Sequence, residues 1–138
     1  MDIRRWARVA YLYAAWLFVA CLVVQVFLAG LGVFAGAQNF ATHTEFGRIF
    51  GLMTLILIPL AIIGRMGRRK IWLSVLVFVL FFLQGLFIAL RDSAPAVAAL
   101  HPVNGFLILW ISILLAQSLW RERRSPAVEP STEPAAAA

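Results

Sequence analysis

The stretch IWLSVLVFVLFFLQGLFIAL, residues 71–90, decides the fold. It runs for 20 residues without a charge, which is the length a helix needs to cross about 30 Å of hydrocarbon. Three more apolar stretches flank it, at residues 9–37, 43–64 and 97–120. The whole chain of 138 residues is 63% hydrophobic with a mean hydropathy of +0.92. A soluble domain of this size would leave most of that apolar surface in water. In lipid a backbone must satisfy itself, so each stretch is expected to be a helix. The connections are short, with outer links at residues 38–42 and 91–96, so neighbouring spans run antiparallel. The expectation is an all-α, integral membrane four-helix bundle over residues 1–124.

Charge sets the expected orientation. Arg4, Arg5 and Arg8 precede the first span, Arg65, Arg68, Arg69 and Lys70 join the second to the third, and Arg121, Arg123 and Arg124 follow the fourth. The opposite side carries only Arg48 and Arg91. Positive residues stay inside, which places both termini in the cytoplasm and the chain in a cell inner membrane. The net charge of +6 is explained by this rule and by anionic headgroups, so nucleic acid is not an expected partner. Trp6, Trp72 and Trp120 fall where interfacial anchors are expected. The first apolar run is much longer than the roughly 7 to 15 residues of a signal core, so it is read as an uncleaved anchor. Residues 125–138, with Pro126, Pro130, Pro134 and a run of alanines, read as a disordered cytoplasmic tail. Cys21 stands alone and reads as a small packing residue.

The only two histidines carry the functional signal. His43 and His101 each open a span, and each is followed four residues later by glycine, Gly47 and Gly105. Gln25 lies 18 residues before His43 and Gln84 lies 17 before His101, and each histidine has a hydroxyl at +11, Thr54 and Ser112. At 100° per residue the +4 and +11 positions fall within about 40° of the histidine, so each set occupies one helix face. If the two hairpins are related by a pseudo-two-fold axis, the second and fourth helices lie diagonally and their imidazoles converge.

Two neutral imidazoles on either side of a plane suit the axial positions of a haem iron, and the glycines would make room for the porphyrin edge. Arg48 and Arg91 are then the candidate partners of outward-pointing propionates. Phe40, Phe46, Phe50, Phe87 and Phe106 are candidates to pack on the macrocycle, although core or lipid-facing filler explains them as well. A bare zinc or copper site would need Glu45 as a third ligand, but Glu45 projects away from His43 and is better placed to pair with Arg48. Asp92 is expected to pair with Arg91. Pro102 either sits in the first turn of the fourth helix or kinks a helix begun near Pro95. Gln25, Gln84 and Asn104 are expected to hydrogen-bond between helices, and Thr54 and Ser112 to bond backbone carbonyls. Leu28, Gly32 and Gly36 recur every four residues and are expected to admit a neighbouring helix.

The stretches His43-Thr44-Glu45-Phe46-Gly47-Arg48-Ile49-Phe50-Gly51 and Leu100-His101-Pro102-Val103-Asn104-Gly105 resemble the small four-helix membrane proteins of bacteria that form an uncharacterised family. More distantly, the arrangement resembles one four-helix half of heme A synthase, in which a bundle holds haem between histidines on two helices. That resemblance implies haem b held by His43 and His101. The synthase pattern has a glutamate three residues before its first histidine, where this chain has Phe40, and its second half has no counterpart here. Synthase activity is therefore not expected. A doubly ligated haem has no open position, so electron transfer is expected, with a quinol, a redox partner protein or a larger membrane complex completing the path. The opposing expectation is a cofactor-free scaffold or accessory subunit. A transporter is disfavoured because no span is visibly broken and no buried charge pair is evident.

Overall fold

The computed structural model describes residues 2–124, and the expected tail at 125–138 lies outside them. Among the described residues every regular element is helical: α1 (Ile3–Phe34), a 3₁₀ turn (Ala37–Asn39), α2 (Phe40–Gly51), α3 (Met53–Ile63), α4 (Arg68–Ala89), α5 (Pro95–Ala98) and α6 (Leu100–Arg124). Four helical stretches are long and apolar enough to cross a membrane: Ile3–Phe34, Ala37–Ile63, Arg68–Ala89 and Pro95–Arg124. The spans therefore match the expected four, with shifted ends. Helix α1 starts six residues before the expected residue 9, and its last turn closes at Phe34 rather than at residue 37. Hydropathy registers where lipid begins, whereas helix continues wherever backbone bonds can be made, and Asp2 caps α1 by accepting from the Arg4 amide at 3.3 Å.

The helices form a ring in which α1 packs on α2, α3 and α6, while α4 packs on α3 and α6. The second and fourth spans are thus diagonal, as are the first and third. Two apolar clusters fill the interior. At the arginine-rich end, Ala7, Ala61 and Ala116 are fully buried beside Tyr11, Leu57 and Leu119. Small side chains let these backbones approach, which is the main source of helix affinity in lipid. Towards the other end the cluster is larger and aromatic: Phe18, Phe50, Val77, Ile108 and Leu115 are buried, with Phe81 packed against them. Phe18, Phe50 and Phe81 lie with ring centres 5.4 to 6.0 Å apart. Tyr11 and Ser74 bridge the first diagonal through a buried 2.7 Å bond. Ser74 gives its own hydrogen to the Lys70 carbonyl at 2.9 Å, so Tyr11 is the donor.

The arginine-rich end is tied together by its own cations. Arg8 donates to the carbonyls of Gly64 at 2.7 Å and Arg65 at 3.3 Å, closing the turn after α3. Arg65 and Gly67 both have positive φ there. Lys70 bonds Glu122, and Arg123 reaches the Tyr13 hydroxyl at 3.5 Å. Trp6 and Trp72 stand exposed at this end, and the Arg124 guanidinium lies 4.8 Å over the Trp120 ring.

One feature of the second span corrects the sequence reading: it is broken at Leu52, between α2 and α3. The Thr54 hydroxyl takes the Gly51 carbonyl at 2.7 Å, and the Leu55 amide turns to the Leu52 carbonyl instead. Back-bonding of this kind bends a helix. Phe81 from α4 presses on the same point, since a Cβ at Gly51 would lie 2.3 Å from its ring. A crevice of about 190 Å³ opens beside the break, with Arg48 at its rim and Phe78 and Phe82 on its walls.

The glycine stripe also differs from expectation in part. Gly32 receives the Phe40 ring, 2.6 Å from where a Cβ would sit, and Gly36 lies beyond the helix at φ 115°. Phe40 is the first residue of α2, so at Gly32 the stripe does admit the neighbouring helix, whereas Gly36 is spent on the turn. Gly51→Ala should destabilise the bundle by about 1–3 kcal/mol because a core ring must move. Gly85→Ala, with nothing within 4 Å, should be neutral or stabilising by up to about 1 kcal/mol. Unfolding of the two variants in mixed micelles, followed by circular dichroism, checks the contrast.

Candidate functional site

The histidines are brought together. His43, on α2, and His101, on α6, come from diagonal helices, and their ring centres lie 6.2 Å apart with planes inclined at 61°. His101 is the second residue of α6 and Pro102 the third, so the proline falls in the first turn, where its missing N–H leaves no bond unmade. The short α5 begins at Pro95, and the chain turns at Ala99 between the two helices. Both expected positions for a helix start are therefore used.

Each imidazole is held by the glutamine of its own hairpin. His43 Nδ1 lies 3.1 Å from the Gln25 carbonyl, and His101 Nδ1 lies 3.2 Å from the Gln84 carbonyl. A carbonyl only accepts, so Nδ1 donates in both rings and Nε2 keeps its lone pair. A backbone carbonyl behind the ring orients it, as it does for ring nitrogens that bind metals.

The glycines serve a different neighbour from the one expected. A Cβ at Gly47 would lie 2.8 Å from Gln25 Nε2, and one at Gly105 would lie 3.1 Å from Gln84 Nε2. The notches are therefore occupied by the glutamine amides, which need the room to reach the histidine turns, and a porphyrin edge would have to share it. The glutamines bond between helices as expected: Gln25 Nε2 donates to the His43 carbonyl at 2.8 Å and lies 3.2 Å from His43 Nε2. Asn104 is buried and donates to the Leu80 carbonyl at 2.8 Å and to Gln84 Oε1 at 3.0 Å. Thr54 and Ser112 bond the carbonyls of Gly51 and Ile108, both at 2.7 Å.

Arg48 and Arg91 are not drawn to the histidines. Arg48 pairs with Glu45 at 3.1 Å and Arg91 with Asp92 at 3.6 Å, and both guanidinium side chains are about 70% exposed. Among the described residues no group of three or more His, Cys, Asp or Glu comes together, and Glu45 is paired with Arg48. The aromatic candidates divide. Phe40 stands edge-on to His43 at 6.2 Å, whereas Phe46 and Phe50 lie tilted to each other at 5.2 Å towards the core, Phe87 is half-buried and Phe106 is exposed. Asn104 thus bonds between helices as expected; that it does so through Gln84 was not readable from the repeat, whose counterpart three residues after His43 is Phe46.

Residues 25–90 match a family described as a family of unknown function, DUF6220. The match opens on Gln25, takes in His43, Gly47 and Gln84, and stops short of His101. No curated protein and no solved structure matches the chain, and no likeness to heme A synthase emerges.

Replacing Asn104 by alanine removes two hydrogen bonds and strands Gln84 Oε1 without a donor. The variant should lose about 1–2 kcal/mol of stability, within the range measured for polar contacts in membrane bundles. Denaturant titration of the detergent-solubilised protein measures the loss.

Proposed function

We propose that this chain is a bacterial inner-membrane protein with both termini in the cytoplasm that binds one haem b between His43 and His101 and passes single electrons. The orientation is supported by the gathering of the arginine clusters at one end of the bundle, tied by Arg8 and Lys70, with only Arg48 and Arg91 at the other. The observation that carries the haem reading is the pair of imidazoles from diagonal helices, each fixed through Nδ1 to a carbonyl with its centre 6.2 Å from the other. Two imidazoles binding one metal from opposite sides, each at about 2 Å, place their ring centres about 6 Å apart. A haem iron supplies a reversible one-electron change.

The chain's own residues do the rest. Gln25 and Gln84 orient the rings through their carbonyls, and the apolar helices keep water from the interior. A single haem near one face does not span the bilayer, so a quinol, a redox partner protein or a larger membrane complex provides the second half of the path.

The second reading is a cofactor-free scaffold or accessory subunit, and one observation favours it. The Gln25 amide already meets His43 Nε2 and fills the Gly47 notch, so the first hairpin is closed on itself. In that reading the Gln, His and Gly sets are fasteners between helices.

Colour separates the two readings. Protein purified from haem-sufficient cells should show a Soret band and sharp α and β bands on reduction, and His43→Ala or His101→Ala should remove the reduced low-spin spectrum. Folded protein that stays colourless after haem supplementation would establish the scaffold.

A further inference from the structure

The two half-sites are built alike and finished differently. In the first, the Gln25 amide nitrogen has one hydrogen for the His43 carbonyl and one for His43 Nε2, at 2.8 and 3.2 Å. In the second, Asn104 holds Gln84 by its oxygen at 3.0 Å, and no contact joins Gln84 to His101 Nε2 among the described residues. Where Asn104 stands three residues after His101, the first half has Phe46, which has nothing to offer an amide. Gln25 Oε1 is consequently buried with no partner.

We propose that Gln25 is a latch on His43: its side-chain amide occupies the ring nitrogen that a haem iron must take, so His101 is the ready ligand and His43 the conditional one. This rests on the haem reading and names the regulation of that site. The latched arrangement carries a built-in weakness, because an acceptor buried without a donor is rare and unfavourable. Turning the amide off the ring gives up the 3.2 Å bond to Nε2, puts the 2.8 Å bond to the His43 carbonyl at stake, and frees Oε1 from a position in which it has no donor. Elements poised in this way respond to a ligand that favours one state. Gly47 makes the latched position possible, since a Cβ there would lie 2.8 Å from the amide nitrogen. Gln84 has no such freedom while Asn104 and the Leu80 carbonyl hold its neighbourhood.

Hemin titration of the purified apoprotein in detergent, followed at the Soret band, tests the latch. Gln25→Leu should bind hemin about fivefold more tightly than wild type, the equivalent of one modest hydrogen bond. Gln25→Met, which also lacks the donor, should behave alike if the gain comes from the missing amide and not from repacking. Gly85→Ala, at a position with nothing within 4 Å, should leave the affinity unchanged. Imidazole ¹⁵N resonances of the apoprotein provide a readout without hemin: His43 Nε2 should differ from His101 Nε2 in the wild type and converge on it in Gln25→Leu. Folded Gln25 variants that bind hemin no more tightly, beside a wild type that binds it, would overturn the latch and leave the haem reading standing. A wild type that binds no hemin but shows the ¹⁵N difference would overturn both, and the amide would then be a fastener.

Discussion

The carbonyl-to-imidazole hydrogen bond in each hairpin is the constraint around which the outer half of this bundle is arranged. Lipid offers a polar side chain nothing, so an imidazole on a membrane helix must find its partner within the protein. Here both rings turn to the carbonyl of a glutamine on the preceding span. That choice fixes the tautomer, points each ring inward, and sets how closely the two helices of a hairpin must approach. The glycines one turn below follow from it, because the glutamine side chain that accompanies the carbonyl needs somewhere to lie.

The lower half obeys the same constraint with different residues. Tyr11 and Ser74 spend their hydroxyls on each other and on the Lys70 carbonyl, and Arg8 covers the carbonyls left open at the end of α3. Between these two polar levels the interior is aliphatic and aromatic, with Phe18, Phe50 and Phe81 in mutual contact. Two diagonal pairs, Tyr11 with Ser74 and His43 with His101, therefore mark the ends of a mainly apolar middle, whose buried hydroxyls on Thr54 and Ser112 are spent on backbone carbonyls.

Much of this was legible in the sequence. Four uncharged or nearly uncharged runs are strong, local signals, and the spacing of Gln, His and Gly, taken with a pseudo-two-fold axis, led to the expectation that the histidines converge, which their 6.2 Å separation matches. The helix ends were less legible, since the apolar signal stops at the lipid boundary while α1 continues to Ile3. The break at Leu52 was not legible at all, because it depends on Phe81 from a helix 30 residues away pressing on Gly51, and on Thr54 spending its hydroxyl there. A glycine announces that something needs room without saying what, and at Gly47 and Gly105 the occupant is an amide of the same hairpin. Asn104 was legible as a residue that bonds between helices, but its particular partner, the Gln84 side chain, was not, because the matching position of the first hairpin is Phe46.

The fasteners also dictate an order of assembly. Gln25 and His43 are 18 residues apart, and Gln84 and His101 are 17 apart, so each set joins helices that are consecutive in the chain. Closing loops of that size is entropically mild. Each hairpin can zip as soon as its second helix enters the bilayer, before the other pair has been synthesised, whereas the contact between the imidazoles has to wait for both. Each half thus carries the contacts that close it, and only the meeting of the imidazoles requires the two halves to dock.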